Sequence, residues 1–430
     1  MKVLNFEDSV YKANAIRKIL GNRCSVASVE QVSNVEDGLK MLKDAENAGE
    51  PFNLIITDMH FPMRSGAISD TEAGEKLLPA MLEFYRLCGI RKPEFMGWNQ
   101  VELDKKKYIK GWSPIKNTDF SLTEFGGELD RYLESYESIK RILSEVEPII
   151  PQERKDAFFA QIKYPVFGAA AMSTKMLEAQ RARCIFPGSC DTNLWTRESQ
   201  LMNACAKSIK AYQEIRDLTD YYNHKLAGGK WKYSMCYNPR DLYVFYPPTL
   251  PIWLTDQEIE QYTFPESTKS LPLKEVSKDK CIVANACNYT KATDGVIVIQ
   301  SLGHSMNAVS LPKGKTITFD FESAWEGEAI LRTAVIPTQP NDKGDIRFSV
   351  SIDGETPQIC SFKEGFRTES WKQNVLRGQA VRNTKHRLTK GMHTLSITAL
   401  DNHVLIDQWM IDFKPERQFY VFPIEPTYQY

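Results

Sequence analysis

The spacing of apolar residues changes twice along this chain of 430 residues. Up to about residue 82, short apolar runs alternate with segments of helical spacing. From about residue 116 apolar residues recur every three or four positions, and after about residue 275 they recur at every second position. Helices and strands impose these two periods. The sequence therefore predicts a multidomain chain in which an α/β segment, an all-α segment and an all-β segment follow one another.

The first segment predicts a doubly wound parallel sheet, because strands alternate with helices. The expected strands are KVLNF (2–6), CSVASV (24–29) and NLIIT (53–57), and the expected helices cover 11–20, 35–48 and the residues from 72 onward. Only three strands are evident before the pattern changes. The sheet is therefore expected to be truncated.

The middle segment predicts a helical bundle. One apolar stripe at helical spacing runs from Leu129 to Val146, and a second runs from Leu201 to Tyr222 and stops at Gly228-Gly229. Such stripes are the faces that helices bury against each other.

The last segment predicts an antiparallel β-sandwich. In IRFSVSIDG (346–354) apolar and polar residues alternate, and TITFDF, HTLSITAL and LIDQWMIDF repeat this pattern between short turns. Trp325, Trp371 and Trp409 are candidates for a carbohydrate platform. Trp409, however, is in phase with the apolar residues of its strand, which favours a place in the core.

Composition and charge limit the classes of partner. The net charge is -1, and no basic run is longer than Lys105-Lys106-Lys107, so neither a nucleic acid nor a membrane surface is expected as a partner. Glu7 and Asp8 lie where a signal peptide needs an apolar core. The nine cysteines show no CxxC spacing. We therefore expect a cytoplasmic protein with reduced thiols.

Three acidic residues follow the first and third expected strands. Glu7 and Asp8 end the first strand, and Asp58 ends the third. With strand order 2-1-3 these strands are neighbours, so the three carboxylates would converge and repel one another. Mg²⁺, a hard cation that prefers oxygen ligands, would relieve that repulsion. The alternative is that Asp58 is only the polar end of a buried strand.

This acidic pattern resembles the receiver domain of bacterial response regulators over residues 1–82. Besides the acids, Met59, Pro62 and GEKLL (74–78) match. The resemblance implies that Asp58 is the phosphoacceptor and that Glu7, Asp8 and Asp58 bind Mg²⁺. A receiver also needs a Ser or Thr that ends a fourth strand and a Lys that ends a fifth. Neither is found in context, so the receiver is expected to be incomplete.

The rest of the chain, about residues 84–425, resembles the C-terminal half of glycoside hydrolase family 115. The matching stretches include IRKPEFMGW, DAFFAQIKYPVFGAAAMSTKMLEAQ, YYNHKLAGGKW, TDGVIVIQSLGHS and GMHTLSITALDNHVLIDQWMIDF. These α-glucuronidases remove (4-O-methyl)glucuronic acid from xylan. Their catalytic carboxylates lie on a (β/α)8 barrel upstream of every matched stretch, so the resemblance carries over no catalytic residue.

Together the two resemblances predict four segments. They are a receiver-like domain (1–82), a junction with a barrel remnant (83–115), a family 115 helical region (116–275) and a family 115 β-sandwich (276–430). A weak glycan-binding hypothesis attaches to the residues around the Gly-Gly turn, where aromatic rings could stack on sugars. They are Tyr222, Asn223, Lys230 and Trp231. The competing hypothesis is that these residues pack the end of the bundle.

Three functions compete on this basis. The first is a non-catalytic protein that binds a glucuronoxylan-type glycan or a protein partner. The second is a phosphorelay signalling protein that uses Asp58. The third is one part of an α-1,2-glucuronidase that needs a separate catalytic barrel chain. The missing receiver residues argue against the second function, and the missing barrel argues against the third. The first function is therefore preferred. Oligomeric state, a homodimer included, is left open.

The acidic cluster leads to a first prediction. Weak Mg²⁺ binding is expected, lost in Asp58→Ala and reduced in Asp8→Ala, because the ion relieves carboxylate repulsion. Phosphorylation by acetyl phosphate should be undetectable, because no Lys balances the phosphoryl charge. Mass spectrometry after incubation with both reagents measures this. A stoichiometric phosphate on Asp58 would identify a working receiver, and an absence of Mg²⁺ binding would reduce Asp58 to a polar strand end.

Overall fold

The computed structural model describes residues 2–6, 10–23, 26, 28–57, 71–92, 117–185, 194–239, 242–263, 279–338 and 345–427. Contacts divide the chain into two compact units, Met1–Met81 with Ile142–Gln152, and Leu82–Arg141 with Glu153–Tyr430. The predicted borders near residues 82, 115 and 275 remain predictions. Residues 93–116 and 264–278, which contain two of these borders, lie outside the described ranges. The junction 83–115 is described only as far as residue 92.

The N-terminal strands form a parallel sheet. The elements are β1 (Lys2–Phe6), α1 (Val10–Arg23), β2 (Ser28–Val32), α2 (Val35–Asn47), β3 (Leu54–Thr57) and α3 (Thr71–Ile90). Within the described residues the strand order is β2-β1-β3, and both pairings are parallel. This is the order on which the acidic-cluster hypothesis was built. Glu7, Asp8 and Asp58 themselves lie outside the described residues, so their convergence stays a prediction.

Strand β2 lies further along the chain than the sequence predicts. The structure places it at Ser28–Val32 instead of 24–29. The register pairs Phe6 with Val32, and these two side chains share a small core with Leu4. Helix α2 approaches this core closely: a Cβ on Gly38 would lie 2.0 Å from the Phe6 ring. Packing of Val32 into this core therefore sets the position of the strand, and the local apolar pattern of CSVASV does not.

Helix α3 covers residues 82–90, where the receiver pattern expects the fourth strand to begin. It continues to Ile90, with Pro79 inside the helix. The receiver pattern would place an apolar strand after residue 82. The described part of this stretch is therefore helical, and the receiver resemblance is not extended by the structure.

The middle of the chain is helical, as predicted. Its elements are α4 (Glu128–Val146), α5 (Lys155–Phe158), a π-helical turn (Phe159–Lys163), α6 (Tyr164–Ile185), α7 (Leu194–His224) and α8 (Asp256–Tyr262). Helices α6 and α7 pack on each other, and Ser208 Oγ donates to Lys175 O at 2.6 Å. The buried Lys175 ammonium donates to Val244 O at 2.6 Å and to Tyr246 O at 3.1 Å. It thereby fixes the chain after α7 to the helical pair.

The C-terminal segment forms two antiparallel sheets. Its elements are β4 (Cys281–Asn285), β5 (Lys291–Ala292), β6 (Ile297–Gln300), β7 (Asn307–Leu311), β8 (Thr316–Ser323), β9 (Gly327–Val335), β10 (Arg347–Ile352), β11 (Gln358–Ser361), α9 (Glu369–Arg377), β12 (Ala380–Leu388), β13 (Gly391–Ala399) and β14 (Val404–Asp412). Within the described residues the orders are β11-β10-β13-β8-β5 and β12-β9-β14-β7-β6, with β4 added on β14.

The two sheets share one apolar core, which confirms the predicted alternation. Ile346, Phe348 and Val350 are fully buried. Trp409 of the second sheet is 2% exposed, and its ring lies 5.2 Å from that of Phe319 in the first sheet. Trp409 is therefore a core residue and not part of a shared carbohydrate platform.

A C-terminal tail after β14 returns to the start of α4. The Glu128 carboxylate accepts backbone N–H groups from Ser121 (2.8 Å), Tyr420 (2.7 Å) and Val421. Glu128 is only 3% exposed. Burial raises the pKa of Glu128 to about 7, although the three N–H groups oppose this shift.

Aromatic rings and an ion pair surround this carboxylate. The Phe120 and Tyr420 rings stack with centroids 4.3 Å apart, and Arg417 Nη1 lies 2.8 Å from Glu124 Oε2. The name tail clasp is used below for Phe120, Glu124, Glu128, Arg417 and Tyr420. The tail clasp holds the helical region and the β-sandwich together within one compact unit.

Substitution of Glu128 is expected to weaken the tail clasp. In Glu128→Gln an NH₂ group replaces one oxygen and cannot accept a backbone N–H. The free energy of unfolding near pH 7.5 should therefore fall by about 1–3 kcal/mol. Because the folded-state pKa is raised from 4.5 to about 7, the folded protein holds this proton more tightly than the unfolded chain. The contribution of Glu128 to stability should therefore decline as pH rises between those values, and the variant should lose this decline.

Denaturant unfolding of wild type and variant at several pH values measures both effects. Glu137→Gln is the control, because Glu137 is half exposed and pairs with Lys140 on the same helix. Its effect should stay below about 1 kcal/mol. Equal losses in the two variants would contradict the role given to Glu128.

Candidate functional site

The residues of the glycan-binding hypothesis lie at the C-terminal end of α7 and in the loop after it. Tyr222 and Asn223 are in the last turn of the helix, and Lys230 and Trp231 follow the Gly-Gly turn. The name α7 loop is used below for residues 225–237.

Asn223 closes the α7 loop. Its side-chain Nδ2 donates to Met235 O at 2.9 Å, and its Oδ1 accepts from Met235 N at 2.9 Å. Asn223 is only 4% exposed. Both polar atoms of this side chain therefore hold the loop, and a ligand would meet the loop surface instead of Asn223.

Successive tight turns give the α7 loop its shape. Backbone N–H groups donate to carbonyl oxygens three residues earlier: Lys230 to Ala227, Lys232 to Gly229 and Ser234 to Trp231, at 3.0–3.3 Å. Gly229 has φ +81°, and a Cβ there would lie 3.2 Å from His224 O. Glycine is therefore needed where the loop passes closest to the helix end.

The outer face of the α7 loop exposes aromatic and basic side chains. Trp231 is 41% and Tyr233 80% exposed. Lys230 Nζ lies 4.9 Å from the centroid of the Trp231 ring, and Lys232 Nζ lies 5.1 Å from that of Tyr233. Residues 221–239 contain three lysines and no Asp or Glu. The loop therefore combines flat apolar rings with positive charge.

Two tyrosines form the base of this surface. Tyr222 is half-buried, with its ring centroid 4.9 Å from that of Tyr164. Tyr221 is 40% exposed and lies 4.5 Å from the ring of Phe159. Tyr222 thus packs the end of the helices, as the competing hypothesis expects, while Tyr221 keeps part of its ring exposed.

The nearest described acid on α7 is already engaged. Tyr237 Oη donates to Asp220, and this hydrogen bond raises the pKa of Tyr237. His224 Nε2 lies 3.9 Å from the same carboxylate, and the Arg216 guanidinium lies 4.6 Å from the Tyr237 ring. Asp220 therefore helps to join Tyr237, the last residue of the α7 loop, to helix α7.

Lys232 and Tyr233 were not among the sequence-predicted residues. The signal that could have found them is the alternation Lys-Trp-Lys-Tyr at 230–233, which is too short for a regular strand and too polar for a core. The structure exposes all four side chains together with Ser234. These residues are therefore indicated by the composition of a turn, and the spacing of apolar residues does not indicate them.

The acidic cluster predicted from the sequence stays a prediction. Glu7, Asp8 and Asp58 lie outside the described residues. Among the residues that are described, no group of three His, Cys, Asp or Glu side chains could hold a metal ion. Within the same residues, no helix combines the length and apolar character needed to cross a membrane.

Comparison with known proteins supports the second resemblance. Residues 276–425 match the model of the glycosyl hydrolase family 115 C-terminal domain. Among solved structures, the chain is similar to BtGH115A, a family GH115 4-O-methyl-α-glucuronidase with specificity for decorated arabinogalactans. The TM-score is 0.60 at 26% identity, and the match covers 88% of this chain and 48% of that one.

Other matches are restricted in extent. A family 35 carbohydrate-binding module from Clostridium thermocellum matches at 13% identity over 30% of this chain and 98% of that one, with a TM-score of 0.25. The C-terminal CBM6 of LamC from Zobellia galactanivorans matches at 14% identity over 31% of this chain and 98% of that one, with a TM-score of 0.24. No curated protein sequence matches the chain.

The comparisons separate the two resemblances. They give no evidence for a receiver domain at the N-terminus. The chain spans about half, 48%, of the length of the glucuronidase that it resembles. The similarity to family 115 is confirmed for its C-terminal domain, over residues 276–425.

Proposed function

We propose that this chain is a non-catalytic, glycan-binding part of a family 115 α-glucuronidase system. The observation that carries the proposal is the likeness to BtGH115A over 88% of the chain, joined to the family 115 C-terminal domain match over residues 276–425. In the family resemblance, cleavage belongs to the barrel upstream of these stretches. Binding is the role that is left for the helical region and the β-sandwich.

The buried carboxylates of the described residues support a non-catalytic role. Glycosidases need two carboxyl groups that face each other across a sugar, about 5–9.5 Å apart. Asp407 is instead held by Ser305 Oγ (2.5 Å), His304 N (2.8 Å) and Gln379 Nε2 (2.6 Å). Glu128 is likewise occupied by backbone N–H groups in the tail clasp. In these two residues the carboxylate oxygens therefore accept hydrogen bonds that stabilise the fold.

The loop that precedes β7 is shaped around Asp407. A Cβ on Gly303, which has φ +81°, would lie 2.3 Å from Asp407 Oδ1. The stretch LGHS (302–305), part of the resemblance to family 115, therefore serves to bury one carboxylate among hydrogen-bond donors. This is a structural use of an acid.

A second candidate function is support of a separate catalytic barrel. Its support is the same match to BtGH115A, which aligns with 48% of that chain. In this case the chain would contribute binding surfaces to an assembly whose acids lie on another chain. The phosphorelay function, Mg²⁺ binding and a cytoplasmic location stay predictions from the sequence.

The proposal predicts no hydrolysis by the purified chain. Neither glucuronoxylan nor a decorated arabinogalactan should release glucuronic acid or its 4-O-methyl ether above a buffer blank, because the resemblance places the catalytic carboxylates on the barrel upstream of the matched stretches. Chromatography of the released sugars measures this, with an active family 115 enzyme as the positive control.

Two outcomes would change the proposal. Release that survives repurification, and that stops when an acid of this chain is substituted, would show that the chain is itself catalytic. Release that appears only after a separately produced barrel chain is added would favour the second candidate function.

A further inference from the structure

We propose that the α7 loop is a binding site for an acidic polysaccharide that carries uronic-acid groups. Trp231 and Tyr233 would stack on sugar rings, and Lys230 and Lys232 would bind the carboxylates. This inference rests on the proposed function and names the site and ligand class that it leaves open.

The exposed rings are the first observation. Aromatic side chains bury large areas when they are paired, so two rings at 41% and 80% exposure within three residues leave apolar surface in water. The flat C–H faces of a pyranose are suited to such rings.

The charge pattern is the second observation, and it selects the ligand class. The two lysine ammonium groups lie 4.9 Å and 5.1 Å from the centroids of the two rings. Each ammonium covers one face of its ring, so a sugar would stack on the opposite face or displace the ammonium. In either case the long lysine side chain would keep its ammonium close enough to bind a carboxylate attached to that sugar. Residues 221–239 contain no Asp or Glu that would repel such a ligand. A neutral glycan would stack on the rings but would offer no carboxylate to the two ammonium donors.

The fixed backbone is the third observation. The two Asn223 hydrogen bonds and the chain of tight turns hold the α7 loop in shape without a ligand. Leu226, 1% exposed, anchors its start. A preformed loop loses little conformational freedom on binding, so a small set of contacts is enough for measurable affinity.

Affinity electrophoresis and calorimetry with soluble glucuronoxylan test the proposal. The matched ligand is the same glucuronoxylan after chemical reduction of its carboxyl groups. Wild type should bind the acidic form about tenfold more tightly than the reduced form, and added salt should weaken only the binding of the acidic form.

Two double variants separate stacking from charge. Trp231→Ala with Tyr233→Ala should lose at least about tenfold in affinity for both ligands. Lys230→Ala with Lys232→Ala should reduce binding of the acidic form to the level of the reduced form. Trp253→Ala with Lys390→Ala is the control, because Trp253 is 55% exposed and both residues lie outside the loop. It should bind as wild type does, and circular dichroism should show all variants folded.

Four results would overturn the inference. They are no binding by wild type, binding that both loop variants retain, equal affinity for the reduced glucuronoxylan, and equal affinity for single-stranded DNA, which would mark a general polyanion surface. Binding retained in the loop variants leaves the proposed function standing with another site. Sugar release by the chain alone would instead contradict the proposed non-catalytic function. The affinities of the loop variants would still decide whether the α7 loop binds the acidic glycan.

Discussion

The hydrogen bonds to one buried carboxylate, that of Glu128, join the two parts of the larger unit. Its oxygens accept N–H groups from Ser121, just before α4, and from Tyr420 and Val421 in the C-terminal tail. An unpaired carboxylate in this place would be costly, and so would the buried N–H group of Tyr420 without an acceptor. Each side of the contact therefore needs the other.

The surrounding contacts extend this dependence into the β-sandwich. Arg417 of the tail bonds to Glu124 next to α4 and also to Asp412 at the end of β14. Asp412 in turn pairs with Arg332 on the neighbouring strand β9, at 3.1 Å. The ion pairs run from the helical region to the centre of a sheet. The helices that present the α7 loop and the sheets that match the family 115 C-terminal domain belong to the same compact unit.

How much of this could be predicted from the sequence depends on the range of each interaction. The alternation Ile346, Phe348, Val350 identified a buried strand face, because neighbouring residues alone set that pattern. The position of β2 was predicted four residues too early at its start, because pairing of Phe6 with Val32 is a property of the sheet. The tail clasp could not be foreseen at all: Glu128 and Tyr420 are 292 residues apart. For the α7 loop, the sequence indicated Trp231 as a candidate. It could not show that both polar atoms of the Asn223 side chain would form hydrogen bonds with the backbone of Met235.

The most direct test of this account is hydrogen exchange of the whole protein, followed by mass spectrometry of peptides from α4, β14 and the tail 414–427. If the tail clasp joins helices and sandwich into one body, the protected amides of Tyr420 and Val421 should exchange together with those of α4 and β14, through one common opening. The contradictory result would be a tail that exchanges orders of magnitude faster while α4 and β14 stay protected. The helical region and the sandwich would then be held together by something other than Glu128.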